Sequence, residues 1–239
     1  MNIVFEPIIY SKIQRPSGAI VAALQSCGVA TVVEAMGPVI GPQQTMVDTM
    51  VRRTTKACIA GPAVTAACTL ADNLMMHAAL QLAKAGDVIV VEAGRSLGAQ
   101  WGELVAQAAL SKGITAAVID GPARDIDAIE ALGFPVWSTI VSPLGAAKHG
   151  LGYVNCPVSC GGVSVVPGDV VVADGDGVVV VPWKSLEEIL EAAQARKIRE
   201  EDTKKKASEG ILPGDLSGFY DYLNTSGIRT IETAWRNGE

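Results

Sequence analysis

Residues 101–125, WGELVAQAALSKGITAAVIDGPARD, decide how this chain folds, because they read in order as helix, turn, strand and turn. Glu103 falls in the first turn of the helix, and Arg124 and Asp125 directly follow the strand. Twenty residues separate Glu103 from Arg124, which is one helix and one strand that return the chain to the same rim of a sheet. Two carboxylates and a guanidinium at such a rim can hold a divalent cation and an anionic substrate together.

The same alternation of helices and strands extends on both sides of this stretch. Apolar runs such as VIVV are typical of strands covered on both faces, and the amphipathic segments between them have helical spacing. Asp72 caps a helix over 73–86, followed by a strand over 87–93, a helix over 99–112, a strand over 114–119, a helix over 125–132 and a strand over 134–140. This alternation predicts βαβ crossovers, a parallel sheet and an α/β fold.

The flanking segments depart from this pattern. Residues 18–36 predict a helix broken near Gly28 and a second helix with Thr31 as its N-cap. Residues 57–69 predict a pair of strands around Gly61-Pro62. The Val-rich segment 153–182 predicts hairpin strands, with its plainest turn at 174–177. A charged helix over 183–208 precedes a tail after Gly210 that reads as irregular.

We therefore expect an α/β domain over residues 1–182, with a parallel-rich central sheet and a Val-rich β section, and a C-terminal helix and tail over 183–239. A mostly polar helix at the end of an apolar domain has two explanations. It is either a solvated cap on its own sheet or an arm that packs on a neighbouring subunit, and the sequence alone leaves both open.

Composition excludes several classes of protein. With 239 residues, 49% of them hydrophobic, the chain suits one large domain with a buried core. A net charge of -6 argues against a nucleic-acid partner. Five scattered cysteines without a CxxC spacing indicate neither a disulfide framework nor a zinc ribbon. The sequence shows no signal peptide and no membrane-spanning run, so the expected location is cytoplasmic.

Each charged residue of the opening stretch also has a structural explanation. Asp125 suits the N-cap of the helix after it, Arg124 suits a surface position, and the helix dipole favours Glu103 in a first turn. Their convergence is what favours a site, because ligands of open α/β sheets bind beyond the carboxyl ends of the strands. A cation such as Mg²⁺ keeps several waters, so one or two carboxylates suffice to bind it.

Other chemistry is less well supported. Asn73 lies at a helix N-terminus, where amides suit a substrate carboxylate, and His77 lies four residues later on the same face. With His149 as the second of two histidines, no histidine cluster for zinc is indicated. No Schiff-base lysine stands out, because the candidates fall in polar turns or near helix ends: Lys56, Lys84, Lys112, Lys148 and Lys184.

Several segments together resemble a known superfamily. They are ADNLMMHAAL, AGDVIVVEAG, WGELVAQAAL, VIDGPARDIDAIEALGFPVWS, VSCGGVSVVPGDVVVADGDGVVVVP and EAAQARKIREE. Over residues 15–212 the chain resembles the class II pyruvate aldolases of the RraA-like superfamily, and among them the 4-hydroxy-4-methyl-2-oxoglutarate / 4-carboxy-4-hydroxy-2-oxoadipate aldolases.

The resemblance implies a β/α/β fold, Mg²⁺ or Mn²⁺ as the divalent metal, and a homo-oligomer, trimer or hexamer, with sites between subunits. It implies retro-aldol cleavage of a 4-hydroxy-2-oxo di- or tricarboxylic acid to pyruvate and a second oxo acid, as in aromatic catabolism, with oxaloacetate decarboxylase side activity. Asp125 would hold the metal. Glu103, and Glu200 from a neighbouring subunit, would join through water, with the adjacent Glu201 as the alternative to Glu200.

The resemblance also implies how the substrate is held. Arg124 would bind the pyruvyl carboxylate or keto oxygen and stabilise enolate charge. Asn73 and the backbone amides near Leu104 and Val105 would hold the pyruvyl end. Arg95 is either an extra cation near the distal end of the substrate or a solvated loop residue.

The same superfamily contains a second class of protein, the non-catalytic, protein-binding regulators of ribonuclease E. That branch commonly lacks the aspartate after the arginine and does not need Glu103. This chain has both acids, which favours the enzyme.

Overall fold

The alternation of strands and helices predicted over residues 73–140 is present in a computed structural model, which describes residues 6–69, 71–94 and 97–231. In chain order, the strands are β1 (Ile8–Ile9), β2 (Val51–Arg52), β3 (Ile59–Ala67), β4 (Val88–Glu92), β5 (Ala116–Ala123), β6 (Val136–Val141), β7 (Tyr153–Val154), β8 (Val158–Cys160), β9 (Val163–Val165), β10 (Val170–Ala173) and β11 (Val178–Val181). The helices are α1 (Gly18–Cys27), α2 (Val29–Ala35), α3 (Gly37–Gln44), α4 (Leu74–Leu82), α5 (Glu103–Ser111), α6 (Ile126–Leu132), α7 (Leu186–Ser208), α8 (Pro213–Leu216) and α9 (Phe219–Thr225).

Strands β3, β4, β5 and β6 pair in parallel in that order, which confirms the predicted α/β fold with a parallel-rich sheet. The ladder between β4 and β5 runs from Val88 opposite Ala116 to Glu92 opposite Asp120. The carboxyl ends of both strands therefore lie at one edge. Because α5 follows β4 and Arg124 follows β5, the predicted site residues are brought to that edge.

The first compact unit, Met1–Gln194, has its core in layers. One face of the parallel sheet packs against α4, α5 and α6 through apolar side chains such as Met76, Ala106 and Ile129. The other face packs against the hairpin strands β8 to β11. The outer face of β10 and β11 is in turn covered by α1, α2 and the first turns of α7. Short Val-rich strands suit this position because they are buried on both faces.

Several predicted element boundaries are wrong. Residues 59–67 form one strand, not the predicted pair. The pairing of this strand with β4 begins at Ala63, directly after Pro62. The N–H that proline lacks is therefore not needed in that ladder. Residues 121–123 belong to β5 rather than to a loop, since a register shift between Ile119 and Pro122 lets the strand continue.

Two helix starts also differ from the sequence prediction. The break at Gly28 is confirmed, but α2 begins at Val29 rather than after Thr31, because Asp174 Oδ2 accepts a hydrogen bond from Val29 N at 2.9 Å. Residues 99–101 are not helical, since Ala99 N donates to Leu144 O and Gln100 N donates to Pro122 O. Helix α5 therefore begins at Glu103.

The second compact unit, Ala195–Glu239, holds the charged end of α7 and the two short helices α8 and α9. Its ion pairs join Arg196 with Glu200 at 2.8 Å, Lys204 with Glu201 at 2.9 Å and Lys206 with Asp202 at 2.7 Å, as expected of a solvated helix face. The residues after Gly210 were expected to be irregular, yet Pro213 begins a helical turn, a position where proline is favoured.

Within the part of the chain that the structure describes, no single helix is long and apolar enough to cross a bilayer. Helices α1 and α2 reach that length and hydropathy only together, and they are bent by 100° at their junction.

Candidate active site

The predicted site residues meet where the segment before α5 runs beside the end of β5. Trp101 forms a parallel bridge with Ala123, and Arg124 N donates to Trp101 O at 2.9 Å. These contacts bring Gly102 close to Arg124 and Asp125, the two residues that follow Ala123. A Cβ atom at Gly102 would lie 2.8 Å from Asp125 Oδ2 and 3.2 Å from Arg124 Nε. Glycine is therefore the residue that leaves room for both charged side chains.

Asp125 occupies the N-cap position of α6, but its side chain makes no capping hydrogen bond to that helix. Its Oδ2 instead accepts a hydrogen bond from Glu103 N at 3.2 Å and lies 3.3 Å from Arg124 Nε. The backbone of Asp125 is left-handed, with φ 58° and ψ 38°, a conformation that aspartate tolerates better than most residues. The carboxylate thus joins α5, Arg124 and the end of β5.

The N-terminus of α5 contributes further groups to this edge. The Glu103 side chain borders an open cleft together with Asp125 and Asp127. Leu104 N has no hydrogen-bond partner among the described residues, whereas Val105 N already donates to Gly102 O at 3.1 Å. Of the two amides expected to hold the substrate, the one at Leu104 is available.

A cavity of about 150 Å³ is bordered by Arg124 and Asp125. It is lined by Asn73, His77, Ala99, Trp101, Gly102, Leu104, Val105, Arg124, Asp125, Gly145, Ala146 and Lys148. Asn73 is 7% exposed, and its Nδ2 donates to Gln100 O at 3.3 Å. In the described part of the chain Asn73 Oδ1 has no partner. Asn73 thus ties α4 to the segment before α5, and its contact with substrate stays a prediction.

Asp72 holds the wall of the cavity in place with both carboxylate oxygens. Oδ1 accepts from Leu74 N, the first amide of α4, at 2.8 Å, and Oδ2 accepts from His149 N at 2.6 Å. The N-cap of α4 is Asn73, so Asp72, which the sequence predicted as the cap, acts from one position before it. Burial alone would raise the pKa of Asp72, but hydrogen bonds from the backbone N–H groups of Leu74, His149 and Gly150 outweigh it. The pKa of Asp72 therefore lies below its ordinary value.

Two ionisable side chains, His77 and Lys148, share this wall. Burial lowers the pKa of His77, and the positive charge of Lys148 lowers it further, while Asp72 opposes both. His77 is therefore neutral at neutral pH, since its ordinary pKa is already about 6.5. Lys148 is the cation of this wall.

Not every predicted site residue falls in this cluster. Arg95 lies outside the described residues. Glu200 belongs to the second compact unit, where it pairs with Arg196. Within the described residues, no group of three or more His, Cys, Asp or Glu side chains is placed to hold a metal ion. The expected role of Glu200 from a neighbouring subunit stays a prediction.

The sequence interpretation did not identify three residues as parts of the site: Gly102, Lys148 and, beyond its cap, Asp72. A glycine directly before the first helical acid was the available signal for Gly102. Lys148 follows β6, the fourth strand of the parallel group, so its position beyond a carboxyl end was a signal as well. The second bond of Asp72 spans 77 positions and has no local signature.

Comparisons with known proteins agree with the fold. The profile of the RraA-like family, described as Aldolase/RraA, matches residues 29–180. A "Putative 4-hydroxy-4-methyl-2-oxoglutarate aldolase" of Halalkalibacterium halodurans is 37% identical over 155 residues, which are 64% of this chain and 74% of that protein.

Solved structures are similar over most of the chain. The crystal structure of Streptomyces coelicolor RraAS2, an unusual member of the RNase ES inhibitor RraA protein family, is 30% identical with a TM-score of 0.72, covering 81% of this chain and 99% of that one. An uncharacterized protein from Pseudomonas syringae pv. tomato is 24% identical with a TM-score of 0.73, covering 83% and 96%. The second likeness supports the fold alone.

The fold and the cluster define a mixed α/β protein with an arginine-aspartate pair at the carboxyl edge of a parallel sheet. The chain belongs to the RraA-like family, Aldolase/RraA.

Replacing Asp72 with asparagine tests the two hydrogen bonds, from Leu74 N and His149 N, by which Asp72 holds the cavity wall. We call this pair of bonds the clamp. An asparagine side chain cannot accept both backbone hydrogen bonds, so we expect Asp72→Asn to lower the free energy of unfolding by about 1–3 kcal/mol at pH 7. Because folding lowers the pKa of Asp72, this contribution is present above about pH 4 and is lost as the pH falls through the lowered pKa. Urea denaturation of both proteins at pH 7 and at about pH 2, below the ordinary pKa of an aspartate, measures it.

The control for this test is Asp176→Asn, at an exposed turn residue whose carboxylate accepts no hydrogen bond among the described residues. It should leave the unfolding free energy within about 0.5 kcal/mol of the wild type. Equal stability of Asp72→Asn and wild type at pH 7 would contradict the clamp.

Proposed function

We propose that this protein is a divalent-metal-dependent pyruvate aldolase. Its reaction would be retro-aldol cleavage of a 4-hydroxy-2-oxo di- or tricarboxylic acid, of the 4-hydroxy-4-methyl-2-oxoglutarate or 4-carboxy-4-hydroxy-2-oxoadipate type, to pyruvate and a second oxo acid. Oxaloacetate decarboxylation would be a side activity. The observation that carries the proposal is the contact of Arg124 and Asp125 beside Gly102, at the wall of a cavity.

The carboxylates at this edge fit a hard cation such as Mg²⁺ or Mn²⁺. Among the described residues, Asp125 Oδ1 accepts no hydrogen bond, and the Glu103 carboxylate forms neither a hydrogen bond nor an ion pair. Oxygen ligands of this kind suit such ions, which need few protein ligands because they retain water. A bound divalent ion would supply Lewis-acid stabilisation of the oxygen that becomes negative as the C–C bond breaks. Glu200 of a neighbouring subunit in a homo-oligomer, trimer or hexamer, would complete the set.

Arg124 would stabilise the same charge from the protein side. Its guanidinium lines the cavity, and Asp125 holds Nε at 3.3 Å, which fixes the side chain before substrate binds. A fixed cation aimed at charge that develops during reaction lowers the barrier more than it tightens ground-state binding. The free N–H of Leu104, at the positive end of α5, would donate to the pyruvyl end.

A second candidate function is that of a non-catalytic regulator that binds a ribonuclease. The likeness to Streptomyces coelicolor RraAS2 favours it, since that protein is 30% identical over 81% of this chain. A regulator would need neither the Arg124–Asp125 contact nor the space that Gly102 leaves for it. The two functions therefore differ in whether a small oxo acid is consumed.

Metal removal tests the proposed activity directly. Purified protein with Mg²⁺ should release pyruvate from oxaloacetate and from at least one member of a panel of 4-hydroxy-2-oxo acids. A coupled lactate dehydrogenase assay measures the pyruvate released. A chelator should abolish the release, and added Mn²⁺ or Mg²⁺ should restore it. Inactivity on the whole panel, together with binding to a purified ribonuclease E, would favour the regulator.

Charge removal at the arginine-aspartate pair is the second test. Arg124→Ala and Asp125→Asn should each lower kcat/KM for pyruvate release by about a hundredfold or more, as expected when a group that stabilises developing charge is lost. Asparagine tolerates the left-handed backbone at position 125, so circular dichroism should show an intact fold. Glu130→Gln, an exposed acid in α6, is the matched control and should retain activity. Turnover near wild type in either site variant would refute the assignment.

Gly102→Ala tests the geometry without changing any charge. Gly102 has φ -156° and ψ -179°, an extended conformation open to alanine, so the effect comes from the added Cβ atom next to Asp125 Oδ2. We expect a loss of about 10- to 100-fold in kcat/KM through displacement of the pair, with little change in Tm. Gly18→Ala, where an added Cβ meets nothing within 4 Å, is the control. Equal activity of the two variants would show that the close approach does not matter.

A further inference from the structure

Lys148 lines the same cavity as Arg124, on a loop whose position is fixed by its neighbours. Ala147 N donates to Ala71 O at 2.8 Å, and Asn73 N donates to Ala147 O at 3.0 Å. On the other side, His149 N donates to Asp72 Oδ2 at 2.6 Å. The residues before and after Lys148 are thus both bonded to the start of α4, so its Cα atom has little freedom.

The close packing of this loop adds to the constraint. A Cβ atom at Gly150 would lie 2.7 Å from Asp72 Cγ, so the loop approaches the clamp more closely than a residue with a side chain permits. Gly145 lies at the other end of the loop, where an added Cβ would be 3.4 Å from an Arg124 guanidinium nitrogen. The loop therefore runs from Arg124 to Asp72 and carries Lys148 between them.

The cavity lining carries more positive than negative charge. Its lining contains two cations, Arg124 and Lys148, and one carboxylate, Asp125, which already contacts Arg124. Among the described residues Lys148 has neither an ion pair nor a hydrogen bond, and the neighbouring His77 is neutral at neutral pH. The cavity thus offers one cation beyond the arginine assigned to the oxo-acid end of the substrate.

We propose that Lys148 binds the second carboxylate of the substrate and makes the protein select dicarboxylic over monocarboxylic oxo acids. The inference rests on the proposed function for the position of the first carboxylate, near Arg124 and the N-terminus of α5. An ammonium group on a fixed loop can form a charge-assisted hydrogen bond with a carboxylate that extends towards it. A methyl group at the same position of the ligand leaves that ammonium without a partner.

Binding of two unreactive ligands tests Lys148 independently of catalysis. 2-Oxoglutarate and 2-oxopentanoate differ only in that a methyl group replaces the second carboxylate, and neither carries the 4-hydroxyl group that retro-aldol cleavage requires. In titration calorimetry with Mg²⁺ present, we expect the wild type to bind 2-oxoglutarate about 10- to 100-fold more tightly than 2-oxopentanoate.

Three variants identify the group responsible for that preference. Lys148→Met should bring the two dissociation constants within about threefold of each other by weakening the dicarboxylate alone, and Lys148→Arg should keep most of the preference because the charge remains. Lys84→Met, at an exposed lysine outside the cavity lining, should behave as wild type.

The proposal is overturned if the wild type shows no preference or does not bind 2-oxoglutarate at millimolar concentrations. It is equally overturned if Lys148→Met raises the dissociation constants of both ligands to the same extent. That result would mean that Lys148 and Arg124 bind the same carboxylate.

A kinetic comparison separates this inference from the proposed function. 4-Hydroxy-2-oxoglutarate and 4-hydroxy-2-oxopentanoate differ by the same replacement, and both can release pyruvate. Lys148→Met should lower kcat/KM for the first by about 10- to 100-fold and leave the second within about twofold. Cleavage without a Lys148-dependent preference would overturn the inference and leave the aldolase. A preference in binding without cleavage of either compound would leave the subsite and overturn the aldolase.

Discussion

The parallel pairing of β4 with β5 is the constraint on which the rest of the structure depends. Its ladder sets Val88 opposite Ala116 and Glu92 opposite Asp120, and the paired valines, isoleucines and alanines are buried on both faces. A one-residue slip would exchange the side chains that face the helices with those that face the hairpin strands, and a close-packed core tolerates such an exchange poorly, so the register is strongly determined. Once it is set, α5 must begin and β5 must end at the same edge of the sheet. The proximity of Glu103, Arg124 and Asp125 is a consequence of that register.

Local conformation at this edge departs from what stability alone would favour. Asp125 adopts a left-handed backbone and leaves α6 without a side-chain cap, although aspartate is one of the best capping residues. Its carboxylate is turned instead to the first amide of α5 and to Arg124. Residues held in uncommon conformations cluster at functional sites, and here the departure directs a carboxylate and a guanidinium to the wall of a cavity.

At the opposite rim of the same cavity, the side chain of Asp72 holds the backbone in place. Asp72 accepts from the first amide of α4 with one oxygen and holds the loop after β6 with the other, so a single side chain links a helix start to a loop that carries Lys148. The walls from α5 and from this loop are each supported by backbone hydrogen bonds rather than by long flexible side chains. Such support favours a preformed pocket, in which binding costs little ordering of the protein.

The sequence by itself determined the fold class and the alternation of strands and helices that places Glu103, Arg124 and Asp125 at the ends of their elements, because hydrophobic periodicity and the βαβ rule act over short, local distances. It also indicated the role of Asp72 at the start of α4 and the break at Gly28. It misplaced the start of α2, the strand through Gly61-Pro62 and the end of β5, since each depends on a partner far along the chain. The tertiary structure alone decided that Asp125 turns away from α6, that Gly102 makes room for the pair, and that Lys148 lies on the cavity wall. These features arise from contacts between segments up to 77 positions apart, and no local preference of the residues involved encodes them.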